Sequence, residues 1–64
     1  MIRLKEILEE KHRTQVWLSE AIGVSVVSVN NWCQNKNEPS LKTLYKIAEV
    51  LNVKISEILI ENKR

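Results

Sequence analysis

This 64-residue chain holds one histidine and one cysteine, His12 and Cys33, and neither has the company that nucleophilic or metal chemistry needs. Nucleophilic catalysis requires a nucleophile, a base and a group that orients the base, all within reach of one another. One histidine, one cysteine and no aspartate cannot supply that set, and no glycine-rich phosphate loop is present. The same inventory falls short of a four-ligand zinc site, and a lone cysteine closes no internal disulfide. Neither an enzyme nor a bound metal or cofactor is expected. What the chain offers instead is hydrogen-bonding and methyl chemistry in one stretch, QVWLSEAIGVSVVSVNNW, from Gln15 to Trp32. Asparagine amides both donate and accept hydrogen bonds, and valine methyls offer apolar contact.

The charge pattern is compatible with a polyanionic partner. A net charge of +2 is too small to argue for one by itself, but its distribution is uneven. Glu6, Glu9 and Glu10 crowd the start and Glu49, Glu57 and Glu61 the end, whereas no carboxylate lies between Glu20 and Glu38. Lys36 is the single cation of that stretch. Such a region can approach a polyanion without repulsion; a neutral surface with no partner has the same composition. No apolar run approaches the roughly 18 residues of a membrane span, and no basic-then-apolar leader opens the chain. The expectation is a cytoplasmic protein with no membrane association.

The elements that must position this stretch are short helices. The length allows one domain, residues 1–64, with a modest core that buries about 60% of the unfolded surface. One glycine and one proline favour helices joined by tight turns. The spacing predicts an all-α chain of five helices, at about 2–11, 15–22, 26–34, 41–51 and 55–60. Leu4, Ile7 and Leu8 form the apolar stripe of the first, with Glu6 and Glu10 on its wet side. Thr14 caps the second, which carries Leu18, Ala21 and Ile22 inward and stops at Gly23. Ser25 caps the third, with Val29 and Trp32 buried. A polar loop from Gln34 to Pro39 follows, then Ser40 caps the fourth, whose Leu41, Leu44, Ile47, Ala48 and Leu51 keep the helical period. Ile58 and Leu59 point inward from the fifth. Leu18, Ile22, Val24, Val29 and Trp32 make the crossing of the second and third helices. Ser19 is small enough to let them approach, and the outer face of the third is left free to enter a major groove.

With these motifs in order, the sequence resembles the Cro/repressor-type, or XRE-like, helix-turn-helix family. The resemblance runs from Ile2 to Leu59. It rests on Thr14–Gln15, the G-V-S turn at Gly23–Ser25, P-S-L at Pro39–Leu41, and L-N-V…E-I-L over Leu51–Leu59. It implies a compact five-helix lambda-repressor-like domain that binds double-stranded DNA as a small transcriptional regulator. By position, the bases would be read by Val26, Val27, Ser28, Asn30 and Asn31. The two valines could instead pack on a neighbouring helix, and Ser28 could meet a base edge or a phosphate. Phosphate contacts would come from Gln15, the family's recurrent backbone contact, with Arg13, Ser25, Asn35, Lys36, Asn37 and Ser40.

Several positions depart from the family pattern. His12 and Asn35 stand where relatives often carry glycine, and asparagine is the next best residue for a left-handed backbone. Leu8 and Cys33 replace an arginine and a glutamate that pair in several relatives. Losing both partners of such a pair is often neutral, and Cys33 is expected as a buried, unreactive thiol near Leu8. Trp17 replaces a polar residue; it covers the first helix, stays partly exposed, or lies near the sugar-phosphate backbone. Trp32 is expected in the core.

The competing function for the same fold is an antitoxin-like module whose main partner is a protein. A homodimer is the other expected partnership, with Ile55, Ile60 and Val50 as its two-fold contact unless they are core or scattered surface residues. No pocket for a small-molecule effector is legible.

Overall fold

The computed structural model describes residues 2–59. Its helices are α1 (Leu4–Glu10), α2 (Gln15–Ile22), α3 (Val26–Cys33), α4 (Leu41–Leu51) and α5 (Ile55–Ile58). The expected order and type of elements hold throughout. The two outer boundaries differ, for one shared reason. Ile2 and Leu59 pair as an isolated antiparallel bridge, and the Arg3 amide donates to the Ile58 carbonyl at 2.8 Å. Extended pairing replaces helix at both ends, so α1 begins at Leu4 and α5 stops at Ile58. Ile60 and Glu61 lie outside the described residues.

Hydroxyl caps start the three central helices. Thr14, Ser25 and Ser40 accept from the amides of Trp17, Ser28 and Thr43, each three residues on. The helix ends are equally specific. His12, Gly23, Asn35 and Asn52 all adopt a left-handed backbone, with φ of 57°, 76°, 59° and 58°. Around His12, Asn35 and Asn52 the two closing bonds of the Schellman motif are present: the Arg13 amide reaches the Leu8 carbonyl, Lys36 reaches Asn31, and Val53 reaches Ala48. Among the described residues the glycine thus serves one of four left-handed corners, and two asparagines and a histidine fill the other three.

The core gathers Ile2, Leu4, Ile7, Leu8, Leu18, Val29, Trp32, Leu44, Ile47, Ala48, Leu51 and Ile58. Trp32 and Val29 lie where the helical period put them. Ser19 is buried at the α2–α3 crossing, and its hydroxyl donates to the Val16 carbonyl at 2.8 Å, so it enters the core with its donor satisfied. Of the residues expected inward, Ile22 and Val24 pack on its edge and three lie exposed. Ala21 is exposed, Leu41 is 62% exposed in the first turn of α4, and Leu59 is 39% exposed because it belongs to the bridge and not to a helix. For Ala21 and Leu41, helical spacing marks a stripe wider than the face that neighbouring helices cover. Among the described residues no helix is long and apolar enough to cross a membrane.

Candidate nucleic-acid interface

The α2–α3 crossing sets the surface that carries the chemistry. Leu18 and Val29 are fully buried, with Ile22 and Val24 packed on the same core, so the relative orientation of the two helices is fixed by apolar contact. Opposite that contact, Val26 is 40% and Val27 65% exposed, and Asn31 is half-exposed one turn further along α3. Two adjacent valines held in solvent by the first turn of a helix are unusual without a partner. The packing of the valines against a neighbouring helix, one of the two alternatives open in the sequence, is not what is seen.

Ser28 is half-buried beside them. Its amide donates to the capping oxygen of Ser25, and its hydroxyl accepts from the Ser25 hydroxyl at 3.1 Å, which leaves the Ser28 proton free to donate outward. Asn30 has other engagements. Its amide nitrogen donates to Gln15 Oε1 at 3.1 Å, and its Oδ1 accepts from Gln34 Nε2 at 3.0 Å. This relay fastens the first side chain of α2 to α3 through the oxygen of Gln15 and uses neither N–H donor of that amide. Nothing in the sequence pattern pairs positions 15 and 30; the link appears only once the helices cross.

Asn35, expected at the phosphates, has its amide turned into the protein. Its Oδ1 accepts the Ile2 amide at 3.0 Å, and its Nδ2 donates to the Ile2 carbonyl at 3.1 Å. The residue thus joins the end of α3 to the chain's opening segment. Lys36, Asn37 and Ser40 follow on the exposed loop and at the start of α4. The Ser40 hydroxyl donates to Thr43 Oγ1 at 3.0 Å while accepting the Thr43 amide.

A cleft of about 190 Å³ opens beside the start of α2, lined by Lys5, Leu8, Glu9, Arg13, Thr14, Gln15 and Cys33. Arg13 stacks over the Trp17 ring, 4.6 Å from its centroid. Trp17 itself is half-buried against the core, so its ring stays partly exposed. Cys33 is half-buried and shares the cleft with Leu8, so the thiol is less enclosed than expected. Burial pushes the thiol above its ordinary value, with Lys5 pulling down and Glu6 pushing up. Because only the thiolate attacks, modification of Cys33 by a maleimide is expected to be slower than that of a free thiol peptide at pH 7.5. The rate should keep rising at pH values where the free thiol has levelled off. A rate equal to the peptide's would show the thiol to be fully open.

The comparisons with known proteins agree with this geometry. The helix-turn-helix family model matches residues 4–58. An uncharacterized HTH-type transcriptional regulator of Archaeoglobus fulgidus is 40% identical over 58 residues, covering 91% of this chain and 82% of that protein. A crystal structure described as a candidate DNA-binding protein from Bacteroides fragilis superposes with a TM-score of 0.89 at 45% identity, over 91% of this chain and 94% of that one. With its capped helices, its left-handed corner at Gly23 and its uncovered first turn of α3, the chain belongs to the XRE-type helix-turn-helix family.

Proposed function

We propose that the protein binds double-stranded DNA in a sequence-dependent manner as a small, non-enzymatic transcriptional regulator, with α3 in the major groove. The observation that carries this reading is the exposed pair Val26 and Val27, with half-buried Asn31 one turn on, on a helix whose opposite face is locked to α2. The names of the two relatives support the same class of activity. Val26 and Val27 offer only apolar contact and so favour thymine methyls; Asn31 and the outward proton of Ser28 supply the polar readout. Asn30 then acts by holding Gln15, whose free amide donors meet a phosphate at the start of α2. Ser25, Lys36, Asn37, Ser40 and Arg13 complete the backbone contacts, and Asn35 contributes by fixing the loop that carries Lys36. The modest charge and small footprint favour a symmetric pair on half-sites about 34 Å apart, with half-buried Val50 and Ile55 at the two-fold contact and the cytoplasm as its compartment.

Duplexes selected from a random pool supply the test. Affinity for them should fall more than tenfold between about 50 and 200 mM salt. Replacing thymine by uracil at the selected positions should weaken binding about fourfold per buried methyl lost. Absence of binding even at low salt would overturn the proposal and favour a protein-binding module. Indifference to uracil would remove the valines from the reading.

A further inference from the structure

Trp17, like the exposed Tyr45, is a large aromatic side chain outside the core that the reading above leaves without a task, and it is the one that meets a cation. In α-helices long side chains lean back toward the N-terminus. A residue in the first turn of α2 therefore lays its ring over the segment before the helix, which is where Arg13 stands. The Arg13 backbone is held there by its amide bond to the Leu8 carbonyl at 2.9 Å. The Trp17 amide is in turn held by the Thr14 cap at 3.0 Å. The Arg13 guanidinium carbon lies over the Trp17 ring, 4.6 Å from its centroid. A cation held over a ring face spends none of its N–H donors on an acceptor oxygen, so those donors stay available to a second partner. A carboxylate partner would have consumed those donors. Arg13 also lines the cleft at the mouth of which Gln15 and Thr14 sit, so the donors of Arg13 and Gln15 serve one short stretch of surface.

We propose that Trp17 is a positioning residue for DNA binding: it holds the Arg13 guanidinium by stacking and presents it, beside Gln15, to a phosphate at the outer edge of the footprint. This inference rests on the DNA-binding reading above. An exposed arginine samples many rotamers, and each must be frozen on binding; one already stacked loses less freedom. The tryptophan contributes no charge and touches no base, so it raises affinity without altering sequence preference.

A double-mutant cycle on a selected duplex, repeated across a range of salt, tests the proposal. Arg13→Gln should reduce the magnitude of the salt slope by about one. Trp17→Leu should weaken binding about two- to fivefold in the wild-type background and have no further effect once Arg13 is glutamine. Trp17→Phe, which keeps a ring, should stay within about twofold of wild type. Arg13→Lys should keep the slope yet bind about two- to threefold more weakly, because an ammonium lacks the stacking plane. That last variant leaves Trp17 in place, so it reports even if Trp17→Leu fails to fold. Equal penalties for Trp17→Leu in both Arg13 backgrounds, or wild-type affinity for Arg13→Lys, would overturn the proposal while leaving the DNA-binding reading intact. A wild-type protein with no salt-dependent binding would remove both.

Discussion

Replacing Asn35 with alanine is expected to lower the unfolding free energy by about 2–4 kcal/mol, and replacing it with glycine by about 1 kcal/mol less. Two effects add in the alanine variant. The side chain holds both the amide and the carbonyl of Ile2, and each hydrogen bond contributes about 0.5–1.5 kcal/mol net. Ile2 is 1% exposed, so its orphaned amide lies in a poorly hydrated place. The second effect is local: at φ 59° alanine pays the left-handed penalty of about 1–2 kcal/mol, part of which asparagine escapes and glycine does not meet. A domain of this size has only a few kcal/mol in hand, so the alanine variant should lose much of its stability. Urea unfolding at matched concentrations and without DNA checks the order wild type, glycine, alanine. Equal loss in both variants would mean that the backbone conformation is of no consequence; no loss in either would mean that the clamp is idle.

The second large effect concerns recognition. Asn31→Ala should relax discrimination at a single base pair by about 1–3 kcal/mol, the range for a good two-toothed contact with adenine. Stability should change little, since the Asn31 side chain is half-exposed and its backbone bond with the Lys36 amide survives the substitution. Competition between the selected duplex and its single-base variants measures the effect. Lys36→Ala provides the contrast, because a phosphate contact should weaken all duplexes alike and reduce the salt slope by about one. If Asn31→Ala weakened every duplex equally, the residue would be a backbone contact and the base would be read from elsewhere on α3.

The fold was legible because local signals agree with one another. Thr14, Ser25 and Ser40 are good caps before apolar periods, and the structure uses all three. The left-handed corners at Gly23 and Asn35 could be read from residue type. Asn52 carries no such signal, because an asparagine after an apolar run looks like any loop residue until the backbone is known. The bridge of Ile2 with Leu59 joins residues 57 positions apart, and no periodicity encodes such a contact. The same limit governs the site. The cap at Ser25 and the inward face set by Val29 and Trp32 favour exposure of Val26 and Val27, and the structure decides between that and packing on a neighbouring helix. The pairings Gln15–Asn30, Asn35–Ile2 and Arg13–Trp17 are favoured by no local pattern, because each depends on where a side chain ends once helices or chain ends have met. They recast Asn30 and Asn35 as supports and give Trp17 a partner.

Amide and methyl correlation spectra of the labelled protein, recorded as a selected duplex is added, test the central claim most directly. The methyls of Val26 and Val27 and the side-chain amide of Asn31 should show the largest changes, followed by Gln15 and the loop at Lys36. The methyls of Ile47, Ile58 and Leu51 should stay where they are. Large changes confined to α4 and α5, with α3 unmoved, would contradict the account.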